Sequence, residues 1–298
     1  MYDLLLRNGL VCDGLNTVPY IGWVAVTGGK IAAVGTLDTP DAELTVDCTG
    51  LAIAPGFIDI HSHSDACYLN DDACEAKLRQ GVTTEVVGQC GFSLFPCPPG
   101  KEGELKLLST GLGGGTSEYV TTSFDKYRKN TAGSKMATNL FQLIGHGALR
   151  ASIVGFDNRE PTGSELNAMC ELLDTALAQG AVGLSLGLGY APGCFATKEE
   201  LRALGAVVAK YDGVITSHMR NQSDMILSSL DEMYDINRHS GARVHISHLK
   251  VARPANWGKS DEIMKDLRRA RAEGVAVTAD LYPYTAAASG ITNSGFPK

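Results

Sequence analysis

The 298-residue chain has few charged residues and no strongly charged segment. Charged residues make up 20% of it, below the roughly 25% of an average globular domain, so a large part of the chain can be buried. The net charge is -7 and no run is rich in lysine or arginine, so the chain lacks the electrostatic footprint for nucleic acid or an anionic membrane surface. Chemistry on a small molecule is therefore the better expectation, and nothing here sets an oligomeric state.

Long apolar runs and paired cysteines are also missing. No segment reaches the ~18 to 20 uninterrupted apolar residues of a membrane span, and residues 1–13 lack the basic and apolar regions of a signal peptide. A cytoplasmic protein is therefore predicted. The eight cysteines have no paired spacing, so most of them are expected to be small buried residues and not disulfide partners.

Residues 1–54 predict a small β module that forms part of a β-sandwich. Short apolar runs alternate with turn residues, which is the pattern of strands joined by tight turns. The strands are expected at 4–6, 23–27, 31–34 and 44–46, with turns at Asn8-Gly9 and Gly28-Gly29-Lys30.

Residues 55–298 predict a parallel α/β barrel. Apolar strands alternate with amphipathic segments, and each strand is followed by polar or glycine-rich sequence, where barrel enzymes keep their active sites. Too few residues follow Tyr284 for another helix and strand, so a (β/α)8 TIM-type barrel truncated after its seventh strand is expected. Residues 91–135, a long insertion rich in Gly and Ser, are expected to form a loop or lid beside the site. The seven strands are predicted at 56–61, 83–88, 137–144, 182–186, 214–218, 243–248 and 275–281.

The most informative motif is His61-Ser62-His63, which closes the first predicted barrel strand. Side chains two residues apart on a strand lie on the same face, so both imidazoles would point into the barrel mouth, as a metal ion requires. A His-x-His pair in an exposed loop is weak evidence. The apolar strand in front of this pair favours metal binding.

Two further histidines, His218 and His248, end predicted strands in the same way. Imidazoles alone would leave two divalent ions with a high net charge, so an anionic bridging ligand is expected. Cys90, at the end of the second barrel strand, can supply it as a thiolate whose pKa the metal lowers. A thiolate combined with imidazoles favours zinc over magnesium or calcium.

Each of these residues also has an ordinary interpretation. A cysteine considered alone is more often a small buried residue, and His146, His239 and His245 are interpreted mainly as buried or surface histidines. His146 remains a candidate for polarising a substrate oxygen. His245 lies three residues before His248, hence on the opposite face of the strand, which argues against its being a ligand.

Six ordered motifs follow the predicted strands and turns. They are Gly56–Asp65, Gly81–Ser93, Gly187–Gly193, His218–Arg220, Ile246–Lys250 and Asp280–Thr285. Together they resemble those of the N-acyl-D-amino-acid deacylases, the D-aminoacylases of the amidohydrolase superfamily. The resemblance covers essentially the whole chain and corresponds to the N-terminal portion of a longer family chain.

The resemblance implies a zinc enzyme with one tight metal position and a second, weaker one. Cys90, His218 and His248 would hold the tight ion, while His61 and His63 would belong to the weaker position, bridged by Cys90. Dihydroorotases and dihydropyrimidinases bridge their metals with a carbamylated lysine on the fourth strand. Residues 183–190 contain no lysine, so Cys90 separates this chain from the cyclic-amide branch.

The resemblance also implies contacts to the substrate. Lys250, Tyr282, Arg220 and Ser289 would reach the substrate carboxylate, and Tyr190 would line the acyl or side-chain pocket. The implied substrate is a small N-acyl amino acid.

The implied reaction is zinc-dependent hydrolysis of the amide bond of N-acyl-D-amino acids, which releases a carboxylate and a D-amino acid. Zinc activates water for attack on the carbonyl, with His146 as a candidate oxyanion stabiliser. In the family an Asp ending the eighth strand is the general acid and base. That strand has no counterpart here, and Asp280 on the seventh strand is more simply a structural strand-end carboxylate. Two alternatives stay open: a catalytically weak or silent metal-binding fragment, and a related cyclic-amide or dipeptide hydrolase.

Overall fold

The computed structural model of the protein describes residues 1–15, 18–67, 75–109, 120–133 and 136–286. Contacts divide the chain into two compact units, Met1–Phe57 and Ile58–Lys298. Within the described ranges, no helix has the length and apolar character that a membrane span needs.

The N-terminal unit is built on a five-stranded sheet. Its strands are β1 (Tyr2–Val11), β2 (Tyr20–Thr27), β3 (Lys30–Gly35), β4 (Ala42–Asp47) and β5 (Ala52–Ile53). Four of them pair in the order β3-β2-β1-β4, and β5 pairs with β1 beyond the end of β4. β1 is antiparallel to β2 and parallel to β4 and β5, so the central strand is β1.

The turn predicted at Asn8-Gly9 is wrong, because β1 continues through both residues. Between Leu6 and Gly9 the register with β2 shifts, so that a step of three residues on β1 faces a step of two on β2. Asn8 has a φ of 63°, a left-handed conformation that asparagine tolerates better than most residues. The sheet therefore uses the permissive Asn-Gly pair as a bulge and not as a chain reversal.

The second unit is built on a seven-stranded sheet whose strands follow one another in chain order. The strands are β6 (Phe57–Asp59), β7 (Val82–Val87), β8 (Asn139–Gly145), β9 (Gly183–Gly187), β10 (Val214–His218), β11 (Arg243–Ile246) and β12 (Val277–Ala279). Neighbours from β7 to β12 pair in parallel. All seven predicted barrel strands are thereby confirmed, several of them shorter than expected.

Helices connect these strands and cover the sheet. They are α1 (Glu75–Leu78), α2 (Glu102–Ser109), α3 (Phe124–Ala132), α4 (His146–Ile153), α5 (Gly163–Ala178), α6 (Lys198–Ala209), α7 (Ile226–Ser240) and α8 (Ser260–Ala272). α5 begins with a capping box, in which Thr162 accepts the N–H of Glu165 and the Glu165 carboxylate accepts the N–H of Thr162. Apolar side chains of β8–β12 and α5–α8 form the main core.

The loop predicted at 91–135 is wrong for two described segments, 102–109 and 124–132, which are helical. α2 and α3 both lie in this range, and each buries apolar side chains three residues apart, Leu105 with Leu108 and Phe124 with Tyr127. This spacing places the paired side chains on one helix face, which two short helices need in order to pack. The glycine-rich residues 111–115 lie outside the described residues.

The carboxyl ends of the first and last strands of this sheet lie beside each other. Nδ1 of His61, two residues after β6, is 3.1 Å from Oδ2 of Asp280, which directly follows β12. In a flat sheet, strands six places apart would be separated by roughly 28 Å. The sheet is therefore curled as in a barrel, and the fold is a (β/α)8-type barrel of which the described residues contain seven strands.

Candidate metal centre

The five predicted ligands meet at the carboxyl ends of the strands. The possible donor atoms form two groups, His61-His63-Cys90 and Cys90-His218-His248. Within each group, all donor atoms lie within 4.8 Å of one another. Sγ of Cys90 belongs to both groups and is 3.4 Å from Nε2 of His61 and 3.5 Å from Nε2 of His248. The predicted convergence of four imidazoles and one sulfur is thus present in the geometry.

The backbone at Cys90 and His248 is unusual. Both residues follow the ends of strands, β7 and β11, and both have positive φ angles, 56° and 40°. Gly88, two residues before Cys90, and Gly91, directly after it, also have positive φ, and a Cβ on Gly91 would lie 2.7 Å from the backbone nitrogen of Gly187. Glycine on either side therefore lets the chain turn sharply enough to direct the sulfur toward the imidazoles.

A buried glutamate orients the His61-Ser62-His63-Ser64 segment. β6 ends before these residues, so the strand face expected to align the two histidines is absent. Both serine hydroxyls instead donate to Oε2 of Glu85, at 2.7 Å for Ser62 and 2.8 Å for Ser64. The serines and Glu85 are buried, which leaves His61 and His63 on the other side of the chain, toward Cys90.

The second nitrogen of two imidazoles is held by a neighbouring side chain. Nδ1 of His61 lies 3.1 Å from Oδ2 of Asp280, a carboxylate acceptor of the kind that metal-binding histidines commonly have on the nitrogen that does not bind the metal. Nδ1 of His248 lies 2.9 Å from Nε2 of Gln222, an amide donor that holds the ring. Sequence reasoning missed Gln222 and Glu85, although a glutamate within the apolar strand β7 was a signal that a polar partner was needed.

The protonation states fit metal binding. Burial lowers the pKa of His218 to about 4 and that of His248 to about 2, so both imidazoles are neutral near pH 7, as ligands must be. Burial raises the pKa of Cys90 to about 12, so the thiol keeps its proton until a cation is present. A divalent cation deprotonates a coordinating thiol outright. One sulfur and four imidazoles are a donor set that suits zinc, so the residues present fit this metal.

Asp280 contacts several residues in and around the set of candidate ligands. Besides His61, its Oδ2 lies 2.9 Å from Nε2 of His245, and its Oδ1 accepts the backbone N–H of His248. Burial raises the pKa of Asp280, but hydrogen bonds from His245 and His61 outweigh burial and hold the pKa well below its usual range. Among the described residues, His245 belongs to neither group of possible donor atoms, and the expectation that it is no ligand stays a prediction.

A cavity of about 480 Å³ lies against this centre. Its lining includes His61, His248, Asp280 and Tyr282. Nζ of Lys250 lies 5.4 Å above the centre of the Tyr282 ring, a cation–π distance. Two of the residues predicted to bind a substrate carboxylate therefore lie next to each other, one of them at the cavity wall.

Tyr190 packs directly on the metal centre. Its ring stacks on Phe92 at 5.3 Å and meets His218 edge to face at 5.1 Å. Its hydroxyl donates to the carbonyl oxygen of Cys90. The predicted place of Tyr190 in the acyl or side-chain pocket stays a prediction, while its contacts hold two of the candidate ligands in place.

Two predicted site residues have their polar atoms engaged elsewhere. Arg220 forms a two-pronged ion pair with Glu232, at 2.9 to 3.2 Å, and donates to the carbonyl oxygens of Cys194 and Ala196. These contacts favour a structural role for Arg220 over contact with a substrate carboxylate. Ser289 lies outside the described residues.

His146 belongs to a buried ion cluster. Its ring is fully buried, and Nε2 is 2.7 Å from Oε1 of Glu200, whose other oxygen pairs with Arg150. Nδ1 of His146 has no hydrogen-bond partner among the described residues. Full burial favours a structural role, and the suggested part in stabilising an oxyanion stays a prediction.

A family model and several known proteins match this chain over most of its length. Residues 44–290 match the model of the amidohydrolase family. N-acyl-D-glutamate deacylase of Alcaligenes xylosoxydans xylosoxydans is 37% identical over 283 residues, which are 95% of this chain and 57% of the relative. D-aminoacylase of the same organism is 37% identical over 289 residues, 96% of this chain and 58% of the relative.

A solved structure extends the comparison to the fold. The crystal structure of N-acyl-D-glutamate deacylase from Bordetella bronchiseptica, complexed with zinc and a phosphonate mimic of the tetrahedral intermediate, superposes with a TM-score of 0.86 at 36% identity. The match covers 95% of this chain and 59% of that one. The chain thus spans somewhat more than half the length of the relatives it matches.

Proposed function

This chain belongs to the amidohydrolase family, and we propose that it carries out zinc-dependent hydrolysis of the amide bond of N-acyl-D-amino acids, releasing a carboxylate and a D-amino acid. The observation that carries the proposal is the sharing of the Cys90 sulfur by two groups of imidazoles at the strand ends. Relatives 37% identical are a D-aminoacylase and an N-acyl-D-glutamate deacylase, which supports this substrate class.

The residues divide into a tight and a weaker metal position. Cys90, His218 and His248 would hold the tight zinc ion, and His61 and His63 would complete the weaker position with the same sulfur. When bound, zinc supplies Lewis-acid chemistry to a water molecule and to a carbonyl oxygen. Burial keeps the imidazoles of His218 and His248 neutral, and Asp280 holds the ring of His61.

In this proposal the residues beside the cavity bind the substrate. The Lys250 ammonium supplies a positive charge next to His248, where it can pair with the carboxylate of an amino acid. Tyr282 packs under Lys250, and Tyr190 with Phe92 forms an aromatic wall beside His218 that excludes water. The sequence contains no aspartate after Asp280, so no residue here corresponds to the general acid and base that the family has on an eighth strand.

The test is zinc content together with stereospecific hydrolysis. The protein is loaded with zinc, its metal is measured by mass spectrometry, and hydrolysis of N-acetyl-D-glutamate is compared with that of the L-enantiomer and of a hydantoin. We expect bound zinc and cleavage of the D-substrate, both lost in Cys90→Ser. Hydrolysis confined to the L-enantiomer or to the cyclic amide would overturn the proposal.

Metal binding with little turnover is a second candidate. The observation that favours it is that the described residues contain seven barrel strands, one fewer than a closed (β/α)8 barrel. Loss of a general acid and base costs ~10² to 10⁴ in rate. Full zinc uptake with a rate ~100-fold or more below that of the longer D-aminoacylase would support this second function.

A further inference from the structure

We infer that Asp280 is a positioning residue that holds one ligand of each metal position at the same time. The inference deepens the proposed function and rests on it. Its two carboxylate oxygens face different ligand-bearing segments, Oδ2 the ring of His61 and Oδ1 the backbone of His248. The Asp280 side chain is only 10% exposed, so these contacts are shielded from competing water.

The contact with His61 selects the ring form that can bind a metal. A carboxylate has only acceptors, so Nδ1 of His61, 3.1 Å away, must carry the proton. Nε2 then has a free lone pair and faces Sγ of Cys90 at 3.4 Å. Asp280 therefore directs the lone pair of His61 toward the shared sulfur and the weaker metal position.

The contact with His248 acts on the backbone. His248 has a φ of 40°, and its N–H donates to Oδ1 of Asp280. Two further hydrogen bonds join the same segments, from Leu249 N–H to the Asp280 carbonyl at 2.8 Å and from Asp280 N–H to the Ile246 carbonyl at 3.0 Å. Asp280 thus stabilises the strained turn that carries a ligand of the tight position.

His245 holds the carboxylate in this orientation. Its Nε2 lies 2.9 Å from Oδ2 of Asp280, and its Nδ1 lies 2.7 Å from the hydroxyl of Thr278. With both ring nitrogens engaged, His245 has none left for a metal. It instead anchors the Asp280 oxygen that His61 uses.

Replacing Asp280 by asparagine separates the two contacts. In Asp280→Asn the single amide oxygen can still accept the His248 N–H, but the NH2 group then faces Nδ1 of His61 and donates to it. His61 must then carry its proton on Nε2, which removes its lone pair from the metal. Substitution of such a supporting residue typically costs ~10- to 100-fold in metal affinity.

The experiment is a zinc titration of the metal-free protein by calorimetry. We expect two classes of site in the wild type, a weaker class at least ~10-fold poorer in Asp280→Asn, and an unchanged tight class. Asp280→Ala, which loses both contacts, should weaken both classes. Asp266→Asn is the matched control, because its carboxylate accepts from Tyr234 and Arg269 and touches no candidate ligand.

A second measurement reads the ring form directly and needs no loaded enzyme. Long-range proton–nitrogen NMR of the metal-free protein should show His61 protonated on Nδ1 in the wild type and on Nε2 in Asp280→Asn. A wild-type His61 protonated on Nε2, a single class of zinc site in the wild type, or two intact classes in Asp280→Asn would each overturn the inference. If the wild type binds zinc in two classes that Asp280→Asn leaves intact, only the inference fails, whereas a wild type without zinc refutes the proposed function.

Discussion

Sγ of Cys90 lies 3.5 Å from Nε2 of His248, and both residues have left-handed backbone conformations. Such a conformation in a residue other than glycine costs on the order of 1–3 kcal/mol. The backbone conformations of the two turns after β7 and β11, whose donor atoms lie beside each other, therefore lower the stability of the fold. Strain of this kind concentrated on two neighbouring side chains is typical of a functional site.

The shared sulfur predicts a specific loss of metal. Cys90→Ser replaces the only thiol of both groups by a hydroxyl that is a poor zinc ligand, so zinc should be lost from the tight and the weaker positions together. Affinity should fall by more than the ~10- to 100-fold typical of a supporting residue. Zinc content measured after dialysis checks this.

Cys170→Ser is the matched control. Cys170 is a half-buried cysteine of α5, and neither group of possible donor atoms contains it. It should retain the zinc content of the wild type. Equal zinc content in Cys90→Ser and Cys170→Ser would contradict the assignment of Cys90.

Lys250 predicts an effect on ligand affinity without an effect on metal. Its ammonium lies 3.3 Å from Nδ1 of His248, and burial lowers its pKa because burial disfavours the charged form. The carboxylate of an incoming ligand would supply a counter-charge and stabilise the ammonium. Lys250→Met should weaken binding of N-acetyl-D-glutamate to the zinc-loaded protein by about 10- to 100-fold, the value of one charged hydrogen bond. Calorimetry gives this dissociation constant, and metal analysis gives the zinc content.

The exposed Lys265 of α8 provides the comparison for Lys250. Lys265→Met removes the same charge at a surface position and should leave the dissociation constant unchanged. If both variants bind the ligand as the wild type does, Lys250 does not contact the substrate carboxylate.

The ligands could be predicted from the sequence because each follows an apolar strand. Parallel strands present their carboxyl ends at one rim, so His61, Cys90, His218 and His248 were expected together before any distance was known. The residues that orient them carry no such signal. Glu85 meets Ser62 and Ser64 across more than twenty residues, and no periodicity or motif encodes a contact of this range.

Arg220 shows what inference from a motif leaves out. The family resemblance implied a contact with the substrate carboxylate, which stays a prediction, and the sequence did not reveal that Glu232 on the following helix pairs with the guanidinium. An acid twelve residues away on α7 is visible in the sequence, yet which basic residue it pairs with depends on how the helix packs. The same limit applies to His146, whose partner Glu200 lies on α6.

The buried cluster around Glu200 predicts a large loss of stability with a defined pH dependence. Glu200→Gln leaves the buried Arg150 guanidinium without its counter-charge, which typically costs 3–5 kcal/mol, so about that loss is expected near pH 7. Burial raises the pKa of Glu200, but the hydrogen bond and charge of His146 and the charge of Arg150 outweigh it, so the pKa lies below its ordinary value of 4.5.

The sign of the pH effect follows from that shift. A carboxylate with a lowered pKa in the folded state contributes stability that is fully present above pH 4.5 and is lost as pH falls through the folded value. Urea unfolding of Glu200→Gln and the wild type should therefore differ most near pH 7 and converge below pH 4.5. Glu199→Gln, at the exposed neighbouring position, should stay within about 0.5 kcal/mol of the wild type throughout. A constant difference at all pH values would argue against an ionised Glu200.

The close approach of Gly145 to the Cys90 turn predicts a coupling between packing and metal binding. A Cβ at Gly145 would lie 2.4 Å from the carbonyl oxygen of Gly91 and 2.7 Å from the carbonyl carbon of Phe92, both backbone atoms that cannot move aside alone. The φ of Gly145 is -74°, so Gly145→Ala introduces no backbone strain and tests the contact alone. The added methyl must push the turn after β7, so the free energy of unfolding should fall by at least 1–3 kcal/mol and zinc affinity should fall with it.

Gly163→Ala is the control, because Gly163 opens α5 with nothing within 4 Å of its Cβ position. The Gly163→Ala protein should be as stable as the wild type or slightly more stable. Urea unfolding and zinc titration of the two variants measure both effects, and unchanged zinc affinity in a destabilised Gly145→Ala would show that the position of Cys90 does not depend on this contact.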